Sequence, residues 1–214
     1  MLEIERLKVA IQSVEVLRGI SLTVKPGEMV GLVGRNGAGK TTSLRAVMGL
    51  VAPTAGNIRF AERHLTDYPT HERARFGIGY MPEDRRLVPQ LSVEENILLP
   101  SWATRDVDAK RRLERIYTLM PEVAEMRRRK AQLLSGGQQK LVALARAMMP
   151  GTRLLLLDEP FEGVAPALSQ RLAEVIAALR GQDLAVLLAQ SDLNHMVKLL
   201  DREYVIERGA NRAS

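Results

Sequence analysis

A chain of 214 residues with 46% hydrophobic and 26% charged side chains has the make-up of an ordinary globular protein, and its length fits one domain with an inserted subdomain. The absence of cysteine excludes disulfides, thiolate metal sites and a catalytic thiol. No apolar run approaches the ~20 residues of a transmembrane helix, and Met1-Leu2-Glu3-Ile4-Glu5-Arg6 lacks a signal-peptide core, which implies an intracellular chain. The net charge of +6 suits phosphate, anionic lipid or nucleic acid without choosing among them, while aromatics at 4% are too few for a base-stacking platform.

The first strand-like run lies at 20–24. Lys25-Pro26-Gly27-Glu28 then reads as a tight turn into a second run at 29–33. Directly after that run, Gly34-Arg35-Asn36-Gly37-Ala38-Gly39-Lys40-Thr41-Thr42 fits G-x-x-x-x-G-K-[ST], between the strand and a helix-compatible stretch at 42–50. Glycines there let backbone N–H groups surround phosphate oxygens, and the helix adds its positive N-terminal end. Lys40 would reach the β- and γ-phosphates of a nucleotide, and Thr41 would place its hydroxyl on Mg²⁺.

Another strand-like run covers 76–81. Residues from about 82 to 150 are mostly helical in pattern and rich in arginine, with Leu141, Leu144, Ala145 and Met148 at helical spacing. The run at 153–158 is apolar without alternation, as in a parallel strand buried on both faces, and it ends in Asp158-Glu159. A carboxylate at such a strand tip can hold Mg²⁺, and the next acid can serve as general base for a water. Leu168, Leu172, Val175, Ile176 and Leu179 form a further helical stripe, followed by strand-like runs at 184–189 and 204–207. Alternating strands and helices argue for an α/β sheet with ligands at the carboxyl ends of its strands.

Leu134-Ser135-Gly136-Gly137-Gln138 puts a hydroxyl and bare N–H groups at a helix start, where an anion would be received. With the two preceding motifs, this string resembles the signature of ATP-binding cassette (ABC) ATPases, and the likeness extends over nearly the whole chain. The resemblance implies a phosphate-loop NTPase of ABC type. Its RecA-like, mostly parallel sheet core (1–81 and 151–214) would carry an N-terminal antiparallel β part and an inserted α-helical subdomain (about 82–150). It implies ATP and Mg²⁺ as cofactors, with Thr41, Glu83 and Asp158 around the metal and Glu159 as the catalytic acid. It further implies a head-to-tail dimer, homo- or heterodimeric, in which Ser135, Gly136, Gly137 and Gln138 act on ATP held by the other subunit. The cassette would sit on the cytoplasmic face of the membrane through a transmembrane permease, with an external substrate-binding protein as an indirect partner and no nucleic acid.

Gly79-Tyr80-Met81-Pro82-Glu83-Asp84-Arg85-Arg86, Leu91-Ser92-Val93-Glu94-Glu95-Asn96-Ile97 and Phe161-Glu162-Gly163-Val164-Ala165-Pro166 resemble importer ATPases for branched-chain amino acids. Urea-importer ATPases share most of these strings. Three positions depart from the wider family pattern. Glu83 stands where many members carry Gln, although the branched-chain branch commonly has Glu. Ser191 stands at the switch histidine's place and is short for reaching a γ-phosphate without a water. His195, one helical turn on, is the alternative. Ile11 stands where an aromatic usually stacks on adenine, offering apolar contact without a π-face. Slower hydrolysis and weaker discrimination against GTP are the expectation. The chain also ends soon after Glu207-Arg208-Gly209, where relatives continue with a strand and a helix.

The basic residues Arg105, Lys110, Arg111, Arg112 and Arg115, with Arg127-Arg128-Arg129-Lys130, read either as a solvated helix face or as attraction to anionic lipid beside the permease. Leu87, Val88, Leu91, Leu98, Leu99 and Trp102 are candidates for permease docking, with core packing as the alternative. Against a nucleic-acid ATPase stand the single cassette and the lack of heptads between the phosphate loop and the signature. A nucleotide-gated subunit that barely hydrolyses ATP is the other alternative, favoured by Ser191 and opposed by Glu159.

Overall fold

The computed structural model describes residues 1–104, 108–181, 183–192 and 199–211. The chain begins with a long hairpin, β1 (Leu2–Ile11) and β2 (Val14–Val24), paired antiparallel with Ile4 opposite Leu22 and Leu7 opposite Ile20. The run at 20–24 is thus the end of an 11-residue strand. Register shifts around Arg6 and Val16 bend the ribbon and move the inward face by one residue. Glu28 N donates to Lys25 O at 3.2 Å, and Gly27 takes φ 71°, closing the expected turn into β3 (Met29–Val33).

Helix α1 (Lys40–Met48) comes next, stopped by Gly49 at φ 74°. Strands β4 (Ala55–Phe60) and β5 (Arg63–His64) then complete a four-stranded antiparallel sheet in the order β2-β1-β4-β5. Short helix α2 (Thr70–Arg73) leads to β6 (Ile78–Met81); residues 74–76 form a 3₁₀ turn instead of the strand start expected from sequence. Buried Arg73 on α2 donates to Ala46 O and Val47 O and so caps the far end of α1.

Residues between β6 and β7 are helical: α3 (Val93–Thr104), α4 (Ala109–Leu119), α5 (Pro121–Glu125) and α6 (Gly136–Met148). Ser92 and Glu95 form a reciprocal cap at the start of α3, and buried Asn96 holds the preceding loop through Val88 and Leu91. The chain then alternates through β7 (Leu154–Asp158), α7 (Pro166–Ala178), β8 (Ala185–Gln190), β9 (Arg202–Glu207) and β10 (Ala210–Asn211). The second sheet has six strands in the order β10-β9-β3-β8-β7-β6, parallel except for β10.

Every residue of β7 and β8 is buried, and their alternating faces feed two cores. Leu154, Leu156 and Leu187 meet α1 and the antiparallel sheet. Leu155, Leu157 and Leu188 belong to the cluster that also holds α3–α7 residues such as Ile97, Leu144 and Leu172. Of the docking candidates, Leu87 and Leu98 pack on this second core, whereas Val88 and Trp102 are exposed. Arg127, Arg128, Arg129 and Lys130 are exposed; Arg105 and His195 lie outside the described residues. No described helix is long and apolar enough to cross a membrane.

Candidate functional site

The carboxyl ends of β3, β7 and β8 converge on one place. The loop leaving β3 is pinned by Gly34 N to Gln190 O (3.3 Å) and by Ala38 N to Arg35 O (3.0 Å). Gly39 is left-handed at φ 111°, which favours glycine, and a Cβ there would also stand 2.6 Å from Leu17 Cδ2. The first α1 bond runs from Ser43 N to Gly39 O at 2.9 Å, which leaves the amides of Lys40, Thr41 and Thr42 as the helix's unpaired first-turn donors. The adjoining cavity, about 330 Å³, is lined among others by Asn36, Gly37, Lys40, Thr41, Glu83 and Glu159. Cavity, loop and free donors fit a polyphosphate.

Lys40, 5% exposed, donates to Gly34 O at 2.6 Å, contacts Ser191 Oγ at 3.0 Å and pairs with Glu159 Oε1 at 3.0 Å. Ser191 directly follows β8. Its N–H donates to Glu159 Oε2 at 3.1 Å, and its Oγ is 2.5 Å from Glu159 Oε1 and 2.6 Å from Asn36 Oδ1. Glu159 itself has φ 46°, a left-handed conformation that costs a non-glycine residue about 1–2 kcal/mol. Its N–H donates to Ala189 O at 2.9 Å.

Asp158, fully buried, accepts from Thr41 Oγ1 at 3.0 Å and from Tyr80 OH at 3.2 Å. Burial pushes its pKa up to about 6; the Thr41 and Tyr80 hydrogen bonds oppose this, and the charges of Glu83 and Glu159 add to it. Burial, with the adjacent Asp158 charge, also raises the Tyr80 phenol above its ordinary value. A hydroxyl and one carboxylate, with Glu83 beside them on the cavity wall, match the oxygen donors Mg²⁺ takes when phosphates supply the rest of its shell. Among the described residues no cluster of three or more acidic, histidine or cysteine side chains forms a metal cage by itself.

The structure therefore brings together Gly34–Thr42, Glu83, Asp158, Glu159 and Ser191. It does not bring Ile11 to this cavity: Ile11 is 40% exposed at the hairpin tip opposite Val14, and Val16 is the strand residue that lines the cavity. Ser135, Gly136, Gly137 and Gln138 also stay outside it. Ser135 caps α6, accepting from Gln138 N at 3.2 Å while Gln138 Oε1 accepts from Ser135 N at 3.0 Å. A Cβ at Gly137 would overlap Leu168 Cδ2 on α7, so the leucine would have to shift to admit one. Two further residues hold the site. Tyr80, which lies within the string at 79–86, donates to the Asp158 carboxylate. Lys140 donates to the carbonyls of Glu159 and Glu162. The available signal for Lys140 is its place one helical turn before Leu144 on the buried face of α6.

Fold and site define a phosphate-loop ATPase cassette. Residues 17–162 match the model of the ABC transporter family, and the chain belongs to that family as an ATP-binding, ATP-hydrolysing cassette. It is 36% identical to the high-affinity branched-chain amino acid transport ATP-binding protein BraG of Pseudomonas aeruginosa, over 98% of this chain and 90% of that one. It is 38% identical to the lipopolysaccharide export system ATP-binding protein LptB of Escherichia coli K12, over 91% of this chain and 81% of that one. Among solved structures it resembles an ATP-binding subunit of an ABC transporter (TM-score 0.86, 27% identity, 100% and 88% covered). The fold also matches the dimeric bacterial cassette MJ0796 (TM-score 0.88, 23% identity, 100% and 97% covered).

Proposed function

We propose that this chain is the ATPase subunit of an importer for branched-chain or other hydrophobic amino acids, held on the inner face of the membrane by a permease. The observation that carries the reading is the similarity to BraG along almost the full length of both chains. The Tyr80-Met81-Pro82-Glu83 string supports it: Tyr80 donates to Asp158, and both stand with Glu83 in a second cavity that shares Thr41 with the phosphate cavity.

In this reading the 34–39 loop and the first-turn amides of α1 receive the phosphates, and Lys40 exchanges the Glu159 carboxylate for them. Thr41 and Asp158, with Glu83 adjacent, would hold Mg²⁺, which supplies charge neutralisation on the phosphates when bound. Glu159 takes the proton of the attacking water, its carboxylate aimed by the Ser191 N–H and hydroxyl. Ser135 and the amides of Gly136 and Gly137 face a nucleotide on a second cassette, either a copy of this chain or a different ATPase subunit. The helical stretch at 82–150 moves against the core formed by 1–81 and 151–214, and the permease converts that motion into transport.

The likeness to LptB favours a second reading, a cassette of a lipopolysaccharide exporter. Disruption of the gene in its host separates the two. Under the first reading, uptake of radiolabelled leucine, isoleucine and valine is lost and is restored by wild type but not by Glu159→Gln. Intact amino-acid uptake with failed lipopolysaccharide export establishes the second, and failed uptake of urea alone moves the substrate to amides.

A further inference from the structure

We infer that Lys140 is a positioning residue for hydrolysis: from the helix that begins at Ser135, its ammonium fixes the turn that carries Glu159. The inference rests on Glu159 being the general base.

Lys140 is 4% exposed, and its ammonium is met by backbone carbonyls rather than by a carboxylate. It donates to Glu159 O at 2.8 Å and to Glu162 O. Those two carbonyls are the first and last of a four-residue turn closed by Glu162 N to Glu159 O at 3.2 Å. Within the turn Glu159 is left-handed at φ 46°, so its conformation persists only where the surroundings impose it. The Ala189 carbonyl fixes one side through Glu159 N, and Lys140 fixes the other.

Burying an ammonium is expensive unless its protons are all used. A lysine at this place, one turn before buried Leu144, is therefore not a solvated surface cation. The side chain also stands among the charges of Arg85, Glu162, Glu159 and Glu83. Arg85 ties the Glu83 loop to the same helix by donating to Gly136 O and Gln139 Oε1, each at 3.1 Å. Helix α6 thus carries the Ser135 motif at its tip and the brace for the catalytic turn just over one turn further along. Displacement of its N-terminus toward a partner's nucleotide is transmitted to Glu159 through Lys140.

The test compares Lys140→Met and Lys140→Arg with wild type. Lys140→Met is expected to lower kcat about tenfold to a hundredfold while leaving the KM for ATP within about twofold, the signature of lost alignment rather than lost binding. Lys140→Arg, which keeps a buried cation over the two carbonyls, is expected to recover most of the loss. Amide hydrogen exchange of the 159–162 peptide should accelerate in Lys140→Met, with the phosphate loop and α1 unchanged. Turnover of Lys140→Met within twofold of wild type overturns the inference. So does a joint loss of kcat, KM and melting temperature with exchange raised throughout α6, which marks a merely structural lysine. If Lys140→Met does not fold, Lys140→Gln, which keeps an uncharged NH2 donor, takes its place. If wild type itself shows no turnover alone, the self-dimer reading fails, and the exchange measurement decides: unchanged exchange at 159–162 overturns the positioning role.

Discussion

Lys40 and Glu159 are paired at 3.0 Å inside one chain, with the two side chains only 5% and 4% exposed. On the proposed reading, the cation that would receive phosphate is thus held by the acid that would activate water. Anionic phosphate competes with the carboxylate for the same ammonium. Glu159→Gln removes the competing charge and leaves Lys40 with Gly34 O, Arg35 O and Ser191 Oγ. The variant is expected to bind ATP about three- to tenfold more tightly, a change of roughly 1 kcal/mol. Calorimetric titration of both proteins with ATP in the absence of Mg²⁺ checks this, and weaker binding by the variant would refute it.

Ser191 contacts Glu159 twice, through its N–H and through its hydroxyl. Only the second contact depends on the side chain. Ser191→Ala is therefore expected to lower kcat about tenfold, with ATP affinity unchanged, because a hydrogen bond to a charged group contributes about 1.5 kcal/mol or more and the N–H contact persists. A loss of a hundredfold would show that the hydroxyl touches the reacting atoms themselves.

Asp158 is ionised within the fold only above about pH 6, whereas its ordinary pKa is 3.8. The folded chain therefore binds this proton more tightly than the unfolded chain, and stability from this group falls as pH rises from about 4 to 6. The cost is absent below the lower value and complete above the higher one. Asp158→Asn removes it. The nucleotide-free variant should gain on wild type by roughly 1 kcal/mol more at pH 7.5 than at pH 5, about 3 °C in melting temperature. Melting curves of both proteins at the two pH values decide; a gain independent of pH contradicts the buried-carboxylate account.

Ile11 and Val14 face each other, exposed, at the hairpin tip, while Val16 lines the cavity. An aromatic ring at 11 would add a stacking surface worth about 1–3 kcal/mol per base. Ile11→Tyr is expected to lower the KM for ATP about fivefold and to sharpen preference over GTP. Unchanged constants for both nucleotides would mean that the hairpin tip does not reach the base.

The parallel sheet is legible in the sequence because β7 and β8 are unbroken apolar runs and the phosphate loop marks the end of β3. The antiparallel hairpin is not: its inward residues run Leu2, Ile4, Leu7, Val9 and then Leu17, Ile20, Leu22, so bulges break the period of two that identifies a strand. Phosphate-loop and strand-tip residues are legible as separate strings. Their pairing across the chain, Lys40 with Glu159 and Thr41 with Asp158, needs three strands side by side and emerges only in the fold. Lys140 is hard to single out because a lysine suggests solvent, although its helical register points inward.

The most direct test is steady-state ATPase activity of the purified chain beside Glu159→Gln, with and without Mg²⁺. Turnover that requires Mg²⁺ and disappears in the variant, while ATP still binds, is the expected result. Equal turnover in the two proteins, or turnover indifferent to Mg²⁺, would contradict a site built on Lys40, Thr41, Asp158 and Glu159.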